Sequence, residues 1–156
     1  MKLLATFACL FIMSLASDSL ARDVISGPIK AKVLEVRDGD SLVVLATIWP
    51  GQSIKTHVRI LGLDAQELKA RCALERVHAR LARQHLMKII GREPIFLSKV
   101  RGGKYFGRVL ANVSNNQRLD IRSAMIEAGV ARPYRGRKRQ SCCMGEKTSS
   151  LKRLIP

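Results

Sequence analysis

At 156 residues the chain suits one domain with a modest core and leaves no room for two full-sized ones. Its 28 Lys and Arg against 12 Asp and Glu give a formal charge of +16. Such an excess repels itself and must be offset by solvation or by an anionic partner. Nucleic acid is the leading candidate, since basic side chains that displace condensed counterions gain affinity. An anionic membrane surface or a cell-wall polymer is the alternative, and charge alone does not choose between them.

Met1 and Lys2 precede a mostly apolar run from Leu3 to Ala16, followed by small-residue cleavage options at Ser14-Leu15-Ala16 and Ser19-Leu20-Ala21. This is the layout of a secretory signal peptide over residues 1–21, cut after Ala16 or Ala21. The run is short for a membrane span, which needs roughly 20 apolar residues. An N-terminal anchor is the rival reading. Export to the periplasm or the medium is expected, with no stable membrane insertion after cleavage. Removing 1–21 takes away one Lys and one Asp, so the net charge is unchanged.

The domain proper is expected over 22–134. Ile29 to Val36 reads as a strand alternating around Ala31, Val33 and Glu35, and Ser41 to Ile48 as a second, rich in Val, Leu and Ile. Arg37-Asp38-Gly39-Asp40 is a turn signal between them. Trp49-Pro50-Gly51-Gln52 makes the next turn, and a third strand runs from about Lys55 to Leu63. A helix follows. Its apolar positions are Leu74, Val77, Leu81 and Ile89, with Arg71, Glu75, Arg76, Arg80 and Arg83 on the other faces and Gly91 as its stop. Two more strands, about Pro94 to Val100 and Arg108 to Val113, are joined through Arg101-Gly102-Gly103-Lys104. A second helix covers about Ile121 to Ala128, capped by Asp120 and stopped by Gly129. Five strands in so small an α+β domain suggest a closed or nearly closed barrel, which removes exposed edges.

Residues 135–156 read as a basic, cysteine-containing tail opening on Arg135-Gly136-Arg137-Lys138-Arg139. Three cysteines remain after cleavage: Cys72, Cys142 and Cys143. In an oxidising compartment one disulfide is expected, with one thiol left over. Cys72 bonded to Cys142 or Cys143 would pin the tail to the domain.

Three clusters carry possible chemistry: Asp38-Gly39-Asp40-Ser41, Arg59 followed by Asp64-Ala65-Gln66-Glu67, and Phe106-Gly107-Arg108. In this order and context they resemble the staphylococcal nuclease family, whose members carry Asp-Gly-Asp-Thr, an Arg on a strand followed by Asp and Glu, and Tyr-Gly-Arg. The likeness extends from about Lys30 to Tyr134. It implies a five-stranded OB-fold barrel with two to three helices and an endonuclease acting on DNA or RNA, and a monomer is expected. It further implies that Asp40, Asp64 and the backbone carbonyl of Ala65 hold a divalent cation, Ca²⁺ with Mg²⁺ as the alternative, since both prefer oxygen ligands. Glu67 would be the general base on the attacking water. Arg59 and Arg108 would grip the phosphate through their guanidinium forks. Asp38 would support the turn.

Lys104, Tyr105 and Tyr134 are candidate substrate contacts, Lys104 as part of a basic track and Tyr134 as a stacking platform for a base. Phe106 stands where the family has tyrosine, and Tyr105 would point to the other side of a strand. Gln66 stands in place of the usual proline. Each motif also has a plain alternative. Asp38-Gly39-Asp40 alone is a hairpin turn, and Asp64 to Glu67 fits a helix capping box. His57, His78 and His85 lack metal-ligand spacing and read as structural or exposed. A noncatalytic nucleic-acid-binding module on the same barrel is the second functional reading, and a cationic binder of cell-surface polymers the third.

Overall fold

The computed structural model describes residues 23–70 and 72–136. Its main sheet is built from β1 (Val24–Ile25), β2 (Ile29–Asp38), β3 (Ser41–Trp49), β4 (Gln52–Ile60), β6 (Ile95–Gly102) and β7 (Arg108–Ser114). The order is β1-β6-β2-β3-β4-β7, and a further β6–β7 pairing closes β2, β3, β4, β7 and β6 into a five-stranded OB-like barrel. All pairings in it are antiparallel except β4 with β7. A small second sheet pairs β5 (Leu63–Asp64) with β8 (Arg132–Pro133). Two helices, α1 (Ala73–Ile90) and α2 (Ile121–Glu127), complete the described residues. Neither is long and apolar enough to cross a membrane. The expected signal peptide, Cys142, Cys143 and most of the tail lie outside the described residues.

The core fills the barrel. Ala31, Leu42, Val44, Ala46, Val58, Ile60, Ile95, Leu97, Ala111 and Val113 point inward from alternate strand positions, as the two-residue period of a pleated strand requires. In β2 that alternation is interrupted. Register shifts fall between Val33 and Glu35 and between Val36 and Asp38. Each bulge flips the following side chains to the other face. Val36 is therefore buried and Glu35 exposed, which corrects the expected inward position of Glu35. The third predicted strand also moves. It ends at Ile60, a turn follows at Leu61-Gly62, and Leu63 and Asp64 leave the barrel to pair with Pro133 and Arg132.

The long helix presents a different face from the one its large apolar residues suggest. Leu74, Val77 and Leu81 are exposed, whereas Glu75, Ala79, Ala82, Leu86 and Ile90 are buried. The reason is close approach. Ala82 lies so near the β2–β3 turn that a Cβ on Gly39 would sit 2.6 Å from the Ala82 Cβ and 2.7 Å from the Ala65 Cβ. Only small side chains allow this spacing. Arg83, placed by periodicity on an outer face, instead donates from Nε to the Val36 carbonyl at 2.7 Å. It thus ties α1 to the bulged end of β2.

At the far end of α1, buried Asn115 donates from Nδ2 to the Ile89 carbonyl, while its Oδ1 accepts from the amides of Gln117 and Leu119. That one side chain orders the turn leading to α2. Asp120 then caps α2 by accepting from the Ser123 amide at 2.7 Å, as its sequence position predicts.

These burial patterns predict opposite outcomes for two leucines on one helix. Leu86→Ala should cost about 2–5 kcal/mol in denaturant unfolding, whereas Leu81→Ala should stay within about 0.5 kcal/mol. Equal losses would mean that the apolar stripe, not the alanine stripe, faces the barrel.

Candidate functional site

The β2–β3 hairpin brings Asp38, Asp40 and Ser41 to one end of the barrel. Asp38 pairs with Ser41 across the two-residue turn, and Ser41 pairs with Arg59 on β4. Because Val58 and Ile60 both enter the core, Arg59 faces the other way, as expected from strand alternation. It is not a solvated arginine, however. Its side chain is only 17% exposed and lies between two carboxylates.

Arg59 Nη1 donates to Asp40 Oδ1 at 3.0 Å and Nη2 to Asp64 Oδ1 at 3.2 Å. Asp40 is 1% exposed. Its Oδ1 also accepts from Ser41 Oγ at 2.7 Å, and its Oδ2 accepts from the Ala65 amide at 3.1 Å. A buried carboxylate needs such partners, because an unpaired one would lose its hydration without compensation. Asp38 reaches in the same direction, its Oδ1 3.5 Å from the Leu68 amide. Both acids of the turn therefore hold the loop that carries Ala65, Gln66 and Glu67.

That loop is not the start of a helix. α1 begins at Ala73 with Cys72 at the N-cap and no side-chain cap bond, so the capping-box reading of Asp64 to Glu67 is overturned. Asp64 belongs to β5 instead. The strand pairing with β8 brings Tyr134 round to the site, where its ring lies 5.8 Å from the Arg59 guanidinium carbon and its amide donates to the Gly62 carbonyl.

Arg108 arrives from the opposite direction in sequence. β4 and β7 run parallel with His57 opposite Arg108 and Arg59 opposite Leu110. Arg59 and Arg108 therefore share a sheet face, one two-residue step apart. Arg108, Glu67, Asp38, Ser41 and His57 line one depression. His57 was set aside in the sequence reading. Its position two residues before Arg59 on a strand was the signal that places it on the same face.

The loop between β6 and β7 corrects a second expectation. Arg101 and Gly102 extend β6, and Gly103 to Gly107 form the connection. Tyr105 is thus not in a strand pointing away from Arg108. Its ring lies 5.6 Å from the Arg108 guanidinium carbon and 5.7 Å from Lys104 Nζ.

A family profile described as staphylococcal nuclease homologue matches residues 57–152, more than half of the chain. The chain belongs to the staphylococcal nuclease homologue family. Arg59, Asp64, Glu67 and Arg108 fall within the match. Asp38 to Ser41 precede it, and the barrel brings them to the same site. The match also continues past Tyr134 into the segment first read as tail. No curated protein gives a significant match. Staphylococcal nuclease homologues are generally nucleases and generally Ca²⁺-dependent, so membership makes the chain a nuclease or a nucleic-acid-binding OB-fold protein.

The hydrogen bonds of Asp40 predict a structural cost on top of any functional one. Asp40→Ala should lower unfolding stability by about 1–3 kcal/mol by leaving the buried Ala65 amide without its acceptor. Asp38→Ala, which removes only the longer contact to Leu68, should cost less than about 1 kcal/mol in the same measurement.

Proposed function

We propose that the protein is an exported, metal-dependent nuclease that hydrolyses phosphodiester bonds of DNA and RNA. The observation that carries this reading is the shared placement of acids and guanidinium groups. Arg59 lies between Asp40 and Asp64, and Arg108 and Glu67 line a depression with Ser41, whose hydroxyl donates to Asp40. A phosphodiester is anionic, and its charge concentrates on the equatorial oxygens as an attacking water adds. Arg108 offers a permanently charged fork for those oxygens at the mouth of the depression, and Arg59 a second on the same sheet face. Glu67 is the general base that takes the proton of the water.

Asp40 and Asp64 would hold the divalent cation, with the Ala65 carbonyl as a further ligand. The donor set suits a hard cation: Asp40 and Asp64 bring carboxylate oxygens to the two sides of the Arg59 guanidinium, and the Ala65 amide donates to Asp40 Oδ2. Among the described residues no group of three or more His, Cys, Asp or Glu forms a metal cage. Water would therefore complete the coordination, as it commonly does for Ca²⁺ and Mg²⁺. When bound, the cation lowers the cost of bringing a nucleophile to an anionic centre. Arg59 already uses one oxygen of each carboxylate, so it fixes the separation of the two acids.

Lys104, Tyr105 and Tyr134 contact substrate in this proposal, Lys104 by charge and the tyrosines by their rings. Residues 1–21 direct export to the periplasm or the medium, where the protein acts as a monomer. A disulfide from Cys72 to Cys142 or Cys143 would staple the tail to the domain.

The purified mature chain is expected to hydrolyse denatured DNA with Ca²⁺ and to stop when a chelator is added. Arg108→Ala should lower kcat by roughly 10²–10³ and Glu67→Ala by roughly 10²–10⁴, with rates normalised to the folded fraction of each variant. A folded, Ca²⁺-loaded protein that binds DNA and leaves it intact would instead be a noncatalytic OB-fold module.

A further inference from the structure

We infer that the tip of the β3–β4 hairpin is a docking element that rests on the surface of an anionic phospholipid bilayer. Past Ala46 on β3 and before His57 on β4, no third strand flanks the hairpin among the described residues. Residues 47–53 therefore leave the barrel wall as a two-stranded ribbon, turned at Pro50-Gly51. Trp49 at its end is 68% exposed, and Ile48 and Ile54 beside it are 47% and 48% exposed. None of the three belongs to the barrel core. A single exposed apolar residue is ordinary. Three together at the tip of a projecting ribbon mark a surface that something covers.

The charge around this tip has one sign. From Ser41 to Leu63 the chain has no Asp or Glu. Lys32 and Lys55 lie opposite Leu45 on its two sides, and both are exposed. Four residues separate Leu45 from Trp49, so the two cations stand roughly 13 Å behind the ring along the strand. That order of groups fits a lipid surface. The apolar wedge enters the boundary between headgroups and acyl chains, and the ammonium groups behind it meet the phosphates. Tryptophan suits the boundary, because its ring is apolar while its indole N–H still reaches water. Contact of this kind is peripheral and reversible, and needs no spanning helix.

A second copy of the chain fits less well, since both copies would bring positive charge to the contact. Nucleic acid would meet the lysines, but branched aliphatic side chains add nothing to the binding of a polyanionic backbone. The tip also lies at the opposite end of β3 from Ser41, which borders the acidic site, roughly 27 Å away along the strand. A bilayer held at one end leaves the depression at the other end open.

Trp49 is the one tryptophan of the chain, so its emission reports this tip alone. The full mature chain is mixed with vesicles of equal parts phosphatidylglycerol and phosphatidylcholine, and with vesicles of phosphatidylcholine alone. On the anionic vesicles the protein should co-sediment, its emission should shift to the blue, and brominated acyl chains should quench it. Phosphatidylcholine alone should give none of these effects at the same lipid concentration. Trp49→Ala should weaken binding to anionic vesicles roughly tenfold. Ile48→Ser with Ile54→Ser, which keeps the fluorophore, should weaken it to a similar extent, and Lys32→Gln with Lys55→Gln by roughly tenfold or more. Absent binding to anionic vesicles overturns the assignment. So does binding that survives Trp49→Ala, or binding of the native chain with unshifted and unquenched emission, since another basic surface then makes the contact. A blue shift that grows with protein concentration in the absence of lipid would make the tip a contact between copies. A blue shift on a single-stranded oligonucleotide without lipid would make it a nucleic-acid contact. Either result also overturns the bilayer as its occupant.

Discussion

Asp40 is a carboxylate with almost no access to water, and the candidate site is arranged around keeping it paired. One oxygen accepts from Ser41 and Arg59, the other from the amide of Ala65. These partners come from the end of one hairpin, the last residues of a barrel strand at Arg59 and a loop outside the barrel. A charge buried this deeply is tolerated only when its lone pairs are used, so the three segments are held in one arrangement. The loop bearing Glu67 is thereby positioned by the same acid that is proposed to hold a cation.

Barrel closure supplies the second constraint. The parallel pairing of β4 with β7 sets His57 against Arg108 and Arg59 against Leu110. Two arginines separated by 49 positions in sequence thus meet on one face without any direct contact between them being needed. The bulges in β2 and the alanine face of α1 serve the same end. They let the Asp38–Asp40 turn lie against the helix, with Gly39 between Ala82 and Ala65 where no side chain would fit. Stability and the candidate chemistry therefore share residues: Asp40, Gly39 and Arg59 hold the fold as well as the site.

Charge is distributed unevenly between these roles. The chain carries a large positive excess, yet the site concentrates carboxylates: Asp38, Asp40, Asp64 and Glu67 lie at or beside it. A uniformly basic surface would attract a polyanion without orienting it. A small acidic centre with Arg108 lining the same depression as Glu67 would, in the proposed function, give the backbone a place to be held and the cation a place to be bound.

The five barrel strands, both helices, their glycine stops and the Asp120 N-cap were legible in sequence, because alternation, glycine stops and an Asp N-cap are local signals. The order of the acidic and arginine motifs was legible too, and it pointed to the family. Which side of α1 is buried was not. Periodicity weighs apolar size and favoured Leu74, Val77 and Leu81, whereas packing against a tight turn required Ala79 and Ala82. Asp64 to Glu67 could be read as a helix start until the tertiary structure gave Asp64 a strand partner in Arg132. Likewise, Tyr105 faced away from Arg108 only if residues 103–107 were extended, and a loop reverses that. Local sequence determined which segments extend, coil and turn. Only barrel closure decided which distant side chains share a face, because strand register and close helix approach depend on partners far along the chain.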